Sequence, residues 1–170
     1  MKKIYITRII LILMLLGTFY LIFSFSAEDG DTSKTTSERI SEFVLNTFTD
    51  YKNMPDGVEK KEILKSVTKI VRKAAHYTIY IVVGMLLMGI CYTYKMGDGR
   101  RFMISQISGI IYATSDEIHQ LFVDGRSGEF RDVLLDSLGV LTGILMVVLI
   151  IKIYKEIKLK KNKKEELRAK

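Results

Sequence analysis

Four long apolar blocks, separated by charged segments, constrain the fold of this chain more than any other feature. They cover residues 9–25, 78–94, 102–123 and 133–154. Each block approaches or reaches the roughly 20 residues that a helix needs to cross about 30 Å of hydrocarbon. Because backbone polar groups in lipid must be hydrogen-bonded within the chain, blocks of this length predict helices. We therefore predict an all-α integral membrane protein with four transmembrane helices.

The distribution of basic residues predicts the orientation of these helices. The chain has a net charge of +7, and its lysines and arginines concentrate before the first block, between the second and third blocks, and after the fourth. Such an excess marks cytoplasmic segments, so both termini are predicted to lie in the cytoplasm of a multi-pass cell-membrane protein. The pattern argues against nucleic acid as a partner and for the lipid bilayer, whose anionic lipids can hold the basic tail.

The length of 170 residues indicates a single domain, which we divide into four segments. Residues 1–25 are predicted to form a first transmembrane anchor and residues 26–71 an extracellular segment. Residues 72–154 form a three-helix membrane core, and residues 155–170 a basic cytoplasmic tail. A cleaved signal peptide is the alternative for the first segment. Its apolar stretch is longer than the usual 7–15 or so residues of a signal peptide, so we favour an anchor.

Helical patterns also occur in the extracellular segment. The sequence from Thr35 to Glu38 has the spacing of a capping box, and apolar residues follow it at helical intervals. A break around Pro55 precedes a second apolar stripe that starts near Val58 and continues into the second transmembrane block. We predict short amphipathic helices that lie on the outer surface or cap the bundle, and favour surface packing over a lid on a binding site.

Ionisable and polar side chains occur in or beside three of the apolar blocks at matching depths. Asp116 lies about 21 Å along a helix that starts at Phe102 on the inner side, and therefore roughly 9 Å below the outer boundary. Charged groups at such depth are costly and usually face a bundle interior or a wet cavity. We predict a polar pocket near the outer face, lined by Arg72, His76, Asp116, Glu117, Gln120, Arg126, Asp132 and Asp136.

The residue types in this layer allow several kinds of chemistry. Carboxylates with histidine can bind a hard divalent metal, and if a metal site exists we expect Asp116, Glu117 and Asp136 to form it. The same groups can act as acid and base, and carboxylates with arginine can hold a zwitterion or a phosphate. Structural roles are the alternative: Asp132 can cap the fourth helix, and the other carboxylates can form salt bridges.

Gly139 and Gly143 form a GxxxG pair in the fourth apolar block. Small residues at this spacing let two membrane helices approach closely. We predict a helix-packing face here rather than a ligand site. The single cysteine, Cys91, excludes an internal disulfide framework.

Together these positions form a motif set that resembles the VanZ family over most of residues 70–145. Its parts are Arg72-Lys73-x-x-His76-Tyr77-x-x-Tyr80, Tyr112-Ala113-x-x-Asp116-Glu117-x-His119-Gln120-x-Phe122-Val123, Gly125-Arg126, Asp132-Val133, Asp136 and Gly139-x-x-x-Gly143. Two positions depart from the pattern. Asp124 stands where relatives often have proline, and the segment Ser24 to Ala27 lacks the glutamine often seen after the first helix.

The resemblance implies a small four-helix membrane protein. The family's namesake is associated with teicoplanin resistance, so the resemblance implies lower susceptibility to lipoglycopeptides at the outer membrane face. On this hypothesis the carboxylates bind a cation or cationic group and Arg126 an anionic one. The partner would be a lipoglycopeptide or a lipid-linked cell-wall precursor. No cofactor is implied, and a divalent metal is the one candidate.

Two alternatives stay open at this point. One is a metal-dependent enzyme that acts on a lipid-linked phosphate. The other is a structural or partner-binding module whose polar layer only locks the bundle. Members of the resembled family are not established as enzymes, so we favour a role without catalysis.

Overall fold

Five α-helices make up the part of the chain that the computed structural model describes, which is residues 2–28, 30–126 and 128–168. The helices are α1 (Lys2–Ser26), α2 (Gly30–Phe48), α3 (Val58–Tyr92), α4 (Asp98–Gln120) and α5 (Phe130–Arg168). A short 3₁₀ helix, Tyr51–Asn53, lies between α2 and α3. These ranges contain no strand, so the predicted all-α class is confirmed.

Three of the described helices are long and apolar enough to cross a membrane: α1, α3, and α5 over Phe130–Glu165. The fourth predicted span, α4, has 23 residues and is long enough, but Gln106, Asp116 and Glu117 lower its mean hydropathy. Three of the four predicted spans are therefore confirmed as helices with the length and hydropathy that a membrane span requires. The crossing of α4 and the orientation of the termini stay predictions.

α3, α4 and α5 pack around one apolar core, to which α1 adds a side chain. The fully or almost fully buried residues of this core are Ile22, Tyr80, Val83, Met88, Ala113, Val140 and Ile144. A helix in lipid gains little from burying apolar groups alone, so close packing and interhelical hydrogen bonds must supply much of the association free energy. The small residues on the buried side of α4, among them Gly109 and Ala113, fit that requirement.

Glycines on both helices let α3 and α5 meet backbone to backbone. A Cβ atom built on Gly139 would lie 2.6 Å from the Tyr77 carbonyl oxygen. One on Gly143 would strike the Ile81 carbonyl oxygen, and one on Gly84 would strike the Val140 carbonyl oxygen. The predicted packing role of Gly139 and Gly143 is confirmed, and Gly84 supplies the facing position on α3.

α1 is attached to the core at both of its ends. Near one end, the Phe19 and Tyr112 rings stack with centroids 3.6 Å apart, and the Tyr112 hydroxyl donates to the Phe19 carbonyl oxygen at 2.9 Å. Near the other, the Arg8 guanidinium donates to the hydroxyl and carbonyl oxygens of Thr93, each at 2.9 Å. The N-terminus of α1 therefore lies at the same end of the bundle as the turn between α3 and α4.

The segment before the core differs from the sequence prediction in two respects. α2 begins at Gly30, so the Thr35–Glu38 sequence lies inside the helix and does not start it. Hydroxyl groups along α2 bond back to carbonyl oxygens four residues earlier, as Ser41 does to Ser37 at 2.7 Å, which makes serine and threonine compatible with a helix interior. The second amphipathic stripe is not a separate short helix: it is the first part of α3, which continues unbroken to Tyr92, and its predicted continuity with the second apolar block is confirmed.

Candidate functional site

A cavity of about 250 Å³ lies between α1, α2 and α3, next to the turn that joins α4 and α5. Its walls are mainly apolar and include Ile22, Phe25, Ile40, Val71, Ala75 and Ile79. The polar and charged lining residues are Ser26, Glu28, Thr36, Ser37, Arg72, His76 and Arg126. Three of the eight predicted pocket residues, Arg72, His76 and Arg126, thus line one cavity, which combines apolar walls with cationic groups.

Beside this cavity, three helices bring His76, Asp116 and Asp136 into one cluster. Each residue offers a ligand atom, and these atoms all lie within 4.8 Å of one another. The Asp136 side chain is 1% exposed, and the Nδ1 atom of His76 lies 3.6 Å from its Oδ2 atom. That separation is longer than a hydrogen bond. His76 belongs to both the cluster and the cavity wall, so the cluster adjoins the cavity.

Asp116 accepts two hydrogen bonds. One comes from a side chain on the same face of α3 as His76, and the other from a side chain on its own face of α4. Tyr80, one turn after His76 on α3, donates its hydroxyl to Asp116 Oδ2 at 3.4 Å. Gln120, one turn after Asp116 on α4, donates its Nε2 to the same oxygen at 3.4 Å and to Ser26 Oγ at 3.4 Å. These contacts fix the orientation of Asp116 and connect the cluster to the end of α1.

Glu117 is buried but takes a different role from its neighbour Asp116. Its Oε1 atom accepts a hydrogen bond from the backbone N–H of Glu129 at 2.5 Å, immediately before α5 begins. A carboxylate at a helix N-terminus satisfies an otherwise unpaired donor and complements the helix dipole. We expected Asp116, Glu117 and Asp136 to hold any metal. The structure brings Asp116 and Asp136 together, but their third neighbour is His76 and not Glu117.

Asp132 pairs with a lysine at the contact between α3 and α5. Its Oδ1 atom contacts Lys73 Nζ, which also lies 3.7 Å from Glu129 Oε2. Asp132 stands in the first turn of α5, where a negative charge complements the helix dipole. These contacts favour the structural alternative for Asp132, which lies beside the cluster rather than in it.

Arg126 joins the α4–α5 turn to the end of α1. Its guanidinium donates to the carbonyl oxygens of Phe25 at 2.6 Å and Glu28 at 3.0 Å, and to Gln120 Oε1 at 3.5 Å. Burial lowers the pKa of Arg126, although an arginine side chain stays charged at any physiological pH. The cationic side chain of Arg126 therefore lines the cavity near the last turn of α1.

Two residues outside the predicted pocket contribute to the site. Tyr80 could have been found from its four-residue spacing from His76, which puts both on one helical face. Ser26 could not, because it lies just beyond an apolar block and nothing in its surroundings indicates a polar contact. His119 does not join the site: its ring stacks on Phe23 with centroids 4.6 Å apart.

Comparison with known protein families identifies the family of this chain. The profile of the VanZ/LLP1 family matches residues 10–152, a range that starts in α1 and ends in α5. No curated protein and no solved structure matches the chain. The family match covers well over half of the sequence and includes every residue of the cavity and the cluster. The chain therefore belongs to the VanZ/LLP1 family, as the motif set predicted.

Proposed function

We propose that this VanZ-family membrane protein lowers the susceptibility of the cell to lipoglycopeptide antibiotics of the teicoplanin type. The observation that carries the proposal is the cavity between α1, α2 and α3. Its apolar walls suit an acyl chain, and Arg72 and Arg126 suit an anionic group on the same molecule. A lipoglycopeptide and a lipid-linked cell-wall precursor both combine these two features. The cavity lies on the outer side in the proposed topology.

In this proposal α4 also crosses the membrane, giving four spans with both termini in the cytoplasm. The surface of α4 supports this arrangement. It exposes the apolar side chains of Met103, Ile104, Ile107, Ile111 and Ile118 and buries Ser105, Asp116, Glu117 and Gln120. A helix with apolar residues on its exposed side and polar residues against its neighbours is suited to lipid.

Single-cysteine labelling tests this topology. In a Cys91→Ser background, cysteines replace the exposed residues Asn46, Asp124 and Lys158, and intact cells are treated with a membrane-impermeant maleimide. We expect Asn46→Cys and Asp124→Cys to react, and Lys158→Cys to react only after the cells are opened. If α4 does not cross, Asp124→Cys stays protected and Lys158→Cys reacts from outside, because an odd number of spans separates the termini.

The resistance proposal predicts that the native protein raises the teicoplanin concentration needed to inhibit growth, and that Arg72→Gln removes most of that effect. A charge-assisted hydrogen bond contributes about 1.5–3 kcal/mol, so its loss should weaken ligand binding about tenfold or more. The measurement compares cells that lack the protein, cells that express it and cells that express the variant, with vancomycin as the control antibiotic.

The matched control for Arg72→Gln is Arg131→Gln, which removes an exposed arginine that does not line the cavity. All proteins are compared at equal membrane levels. Equal protection by native protein, Arg72→Gln and Arg131→Gln would exclude the cavity as the seat of the effect. No protection by the native protein would refute the resistance proposal itself.

The cluster of His76, Asp116 and Asp136 favours a second candidate function, a metal-dependent enzyme that acts on a lipid-linked phosphate. Carboxylate and imidazole ligands beside arginines are a suitable arrangement for phosphate chemistry. This candidate predicts metal-dependent turnover that Asp116→Asn abolishes. A purely structural polar layer predicts instead that Asp116→Asn lowers the amount of folded protein, because breaking a buried polar contact destabilises the fold.

A further inference from the structure

The Asp136 side chain is the least satisfied polar group in the described part of the chain. Both of its carboxylate oxygens are buried and neither accepts a hydrogen bond there. The Nδ1 atom of His76, which faces them, is also buried and without a hydrogen-bond partner among the described residues. A buried polar atom with no hydrogen-bond partner destabilises the folded protein, and a charged one destabilises it more. Three such atoms on two facing side chains therefore require a compensating group.

Two of the nearby cations are engaged with other groups, and a third, Arg72, is an exposed side chain that lines the cavity. Lys73 is bound to Asp132 and Glu129, and Arg126 donates to two carbonyl oxygens and to Gln120. Among the ion pairs of the described residues, the only one that includes Asp116 or Asp136 is the His76–Asp136 contact. Among the described residues, the two buried carboxylates thus have at most one cationic partner, His76.

We propose that His76, Asp116 and Asp136 form a binding site for a divalent transition-metal cation. Ligand atoms at about 2.0–2.2 Å from one ion lie roughly 3.0–3.5 Å from each other. The 3.6 Å separation of His76 Nδ1 and Asp136 Oδ2 is close to that range and too long for a hydrogen bond. All three ligand atoms lie within 4.8 Å of one another, and a bound ion would draw them closer together.

The ligand set selects the class of cation. Calcium takes six to eight or so oxygen ligands, and magnesium rarely uses an imidazole, so one histidine with two carboxylates suits neither. Imidazole and carboxylate together suit Zn²⁺ and Mn²⁺. Three protein ligands leave at least one coordination position open. Because His76 also lines the cavity, an anionic group that Arg72 and Arg126 hold there would lie next to the metal site.

This site goes beyond the proposed function, because the cation can bind whether or not the protein affects antibiotic susceptibility. The full chain is purified in detergent with an affinity tag that contains no histidine, and its metal content is measured by mass spectrometry. We expect about one Zn²⁺ or Mn²⁺ ion per chain, removable with a chelator and restored by either metal but not by Mg²⁺ or Ca²⁺. Asp136→Asn and His76→Gln should retain less than a tenth of the native metal content.

The matched control is Asp98→Asn, which removes a carboxylate paired with Arg101 at the other end of the bundle and should keep the native metal content. Equal metal content in the native protein, Asp136→Asn and Asp98→Asn would overturn the proposal. So would a native protein without transition metal that takes up none on addition, which would leave only a buried His76–Asp136 ion pair.

Thermal stability of the native protein provides a second measurement, which decides the question if the variants do not fold. A metal at about a hundredfold excess over its Kd should raise the melting temperature by roughly 5 °C or more relative to chelator-treated protein. The same melting temperature with chelator, Zn²⁺ and Mn²⁺ would count against the site. Metal content and melting temperature are measured on purified protein, so they test the metal site independently of the growth assay. A negative growth assay would refute the resistance proposal only, and negative metal measurements would refute the metal site only.

Discussion

Replacing Gly143 by leucine is expected to remove most of the folded protein from the membrane. A Cβ atom at this position would strike the Ile81 carbonyl oxygen and lie 2.8 Å from the Met85 backbone nitrogen. Overpacking usually costs about 1–3 kcal/mol, because side chains can rotate away. Here the obstructing atoms belong to a helix backbone, so α3 and α5 must separate, and we expect a cost above that range. Size-exclusion chromatography of a fluorescent fusion measures the yield of folded protein.

The structure offers a matched control in α1. Gly17 also lies within an apolar helix, but a Cβ atom there would meet no other atom within 4 Å. Gly17→Leu should therefore give a yield close to that of the native protein, and Gly143→Ala an intermediate one. If Gly143→Leu and Gly17→Leu gave equal yields, α3 and α5 could not be in backbone contact at this position.

Arg126→Met is expected to loosen the end of α1 from the α4–α5 turn. The guanidinium satisfies the carbonyl oxygens of Phe25 and Glu28, two groups near the end of α1. Hydrogen bonds to charged groups contribute about 1.5–3 kcal/mol each when shielded from water. The contact with Phe25 is exposed, so we expect a total loss of about 2–3 kcal/mol. Limited proteolysis between α1 and α2, together with thermal unfolding, measures this change.

Two control variants separate hydrogen bonding from charge. Arg126→Lys keeps the charge but cannot donate to both carbonyl oxygens with the geometry of a guanidinium, so it should restore less than half of the lost stability. Arg131→Met removes an exposed arginine in the first turn of α5 and should have little effect. Unchanged proteolysis of Arg126→Met would show that the turn does not hold α1.

The sequence predicts the helices of the membrane core well, because long apolar blocks have few alternatives in lipid. The predictions are weaker at the helix ends, where polar residues continue a helix beyond its apolar part. α5 extends to Arg168, far past the predicted block, through a basic segment in which Lys161 and Glu165 pair across one helical turn at 4.0 Å. α2 starts before its predicted cap for a related reason, since hydroxyl side chains also fit a helix interior.

The sequence predicts the depth of the polar layer but not the direction of each side chain. The rise per residue puts Asp116 and Glu117 at nearly the same depth, about 100° apart around the helix axis. Only packing decides that Asp116 faces the cluster while Glu117 binds the N–H of Glu129. Asp132 and Asp136 share one face of α5, yet of these two only Asp132 pairs with Lys73. The partner that each carboxylate contacts depends on how the neighbouring helices pack, and the sequence of one helix does not show this packing.

The unbroken length of α3 has a mechanical consequence. With 35 residues it is about 52 Å long, some 20 Å longer than the hydrocarbon core of a bilayer is thick. Between Val58 and Val83 it contains no proline or glycine that would allow a sharp kink. His76 is therefore rigidly connected to the segment against which α2 packs. A tilt of the part of α3 that extends beyond the hydrocarbon core would therefore also tilt the part that carries His76 in the polar cluster.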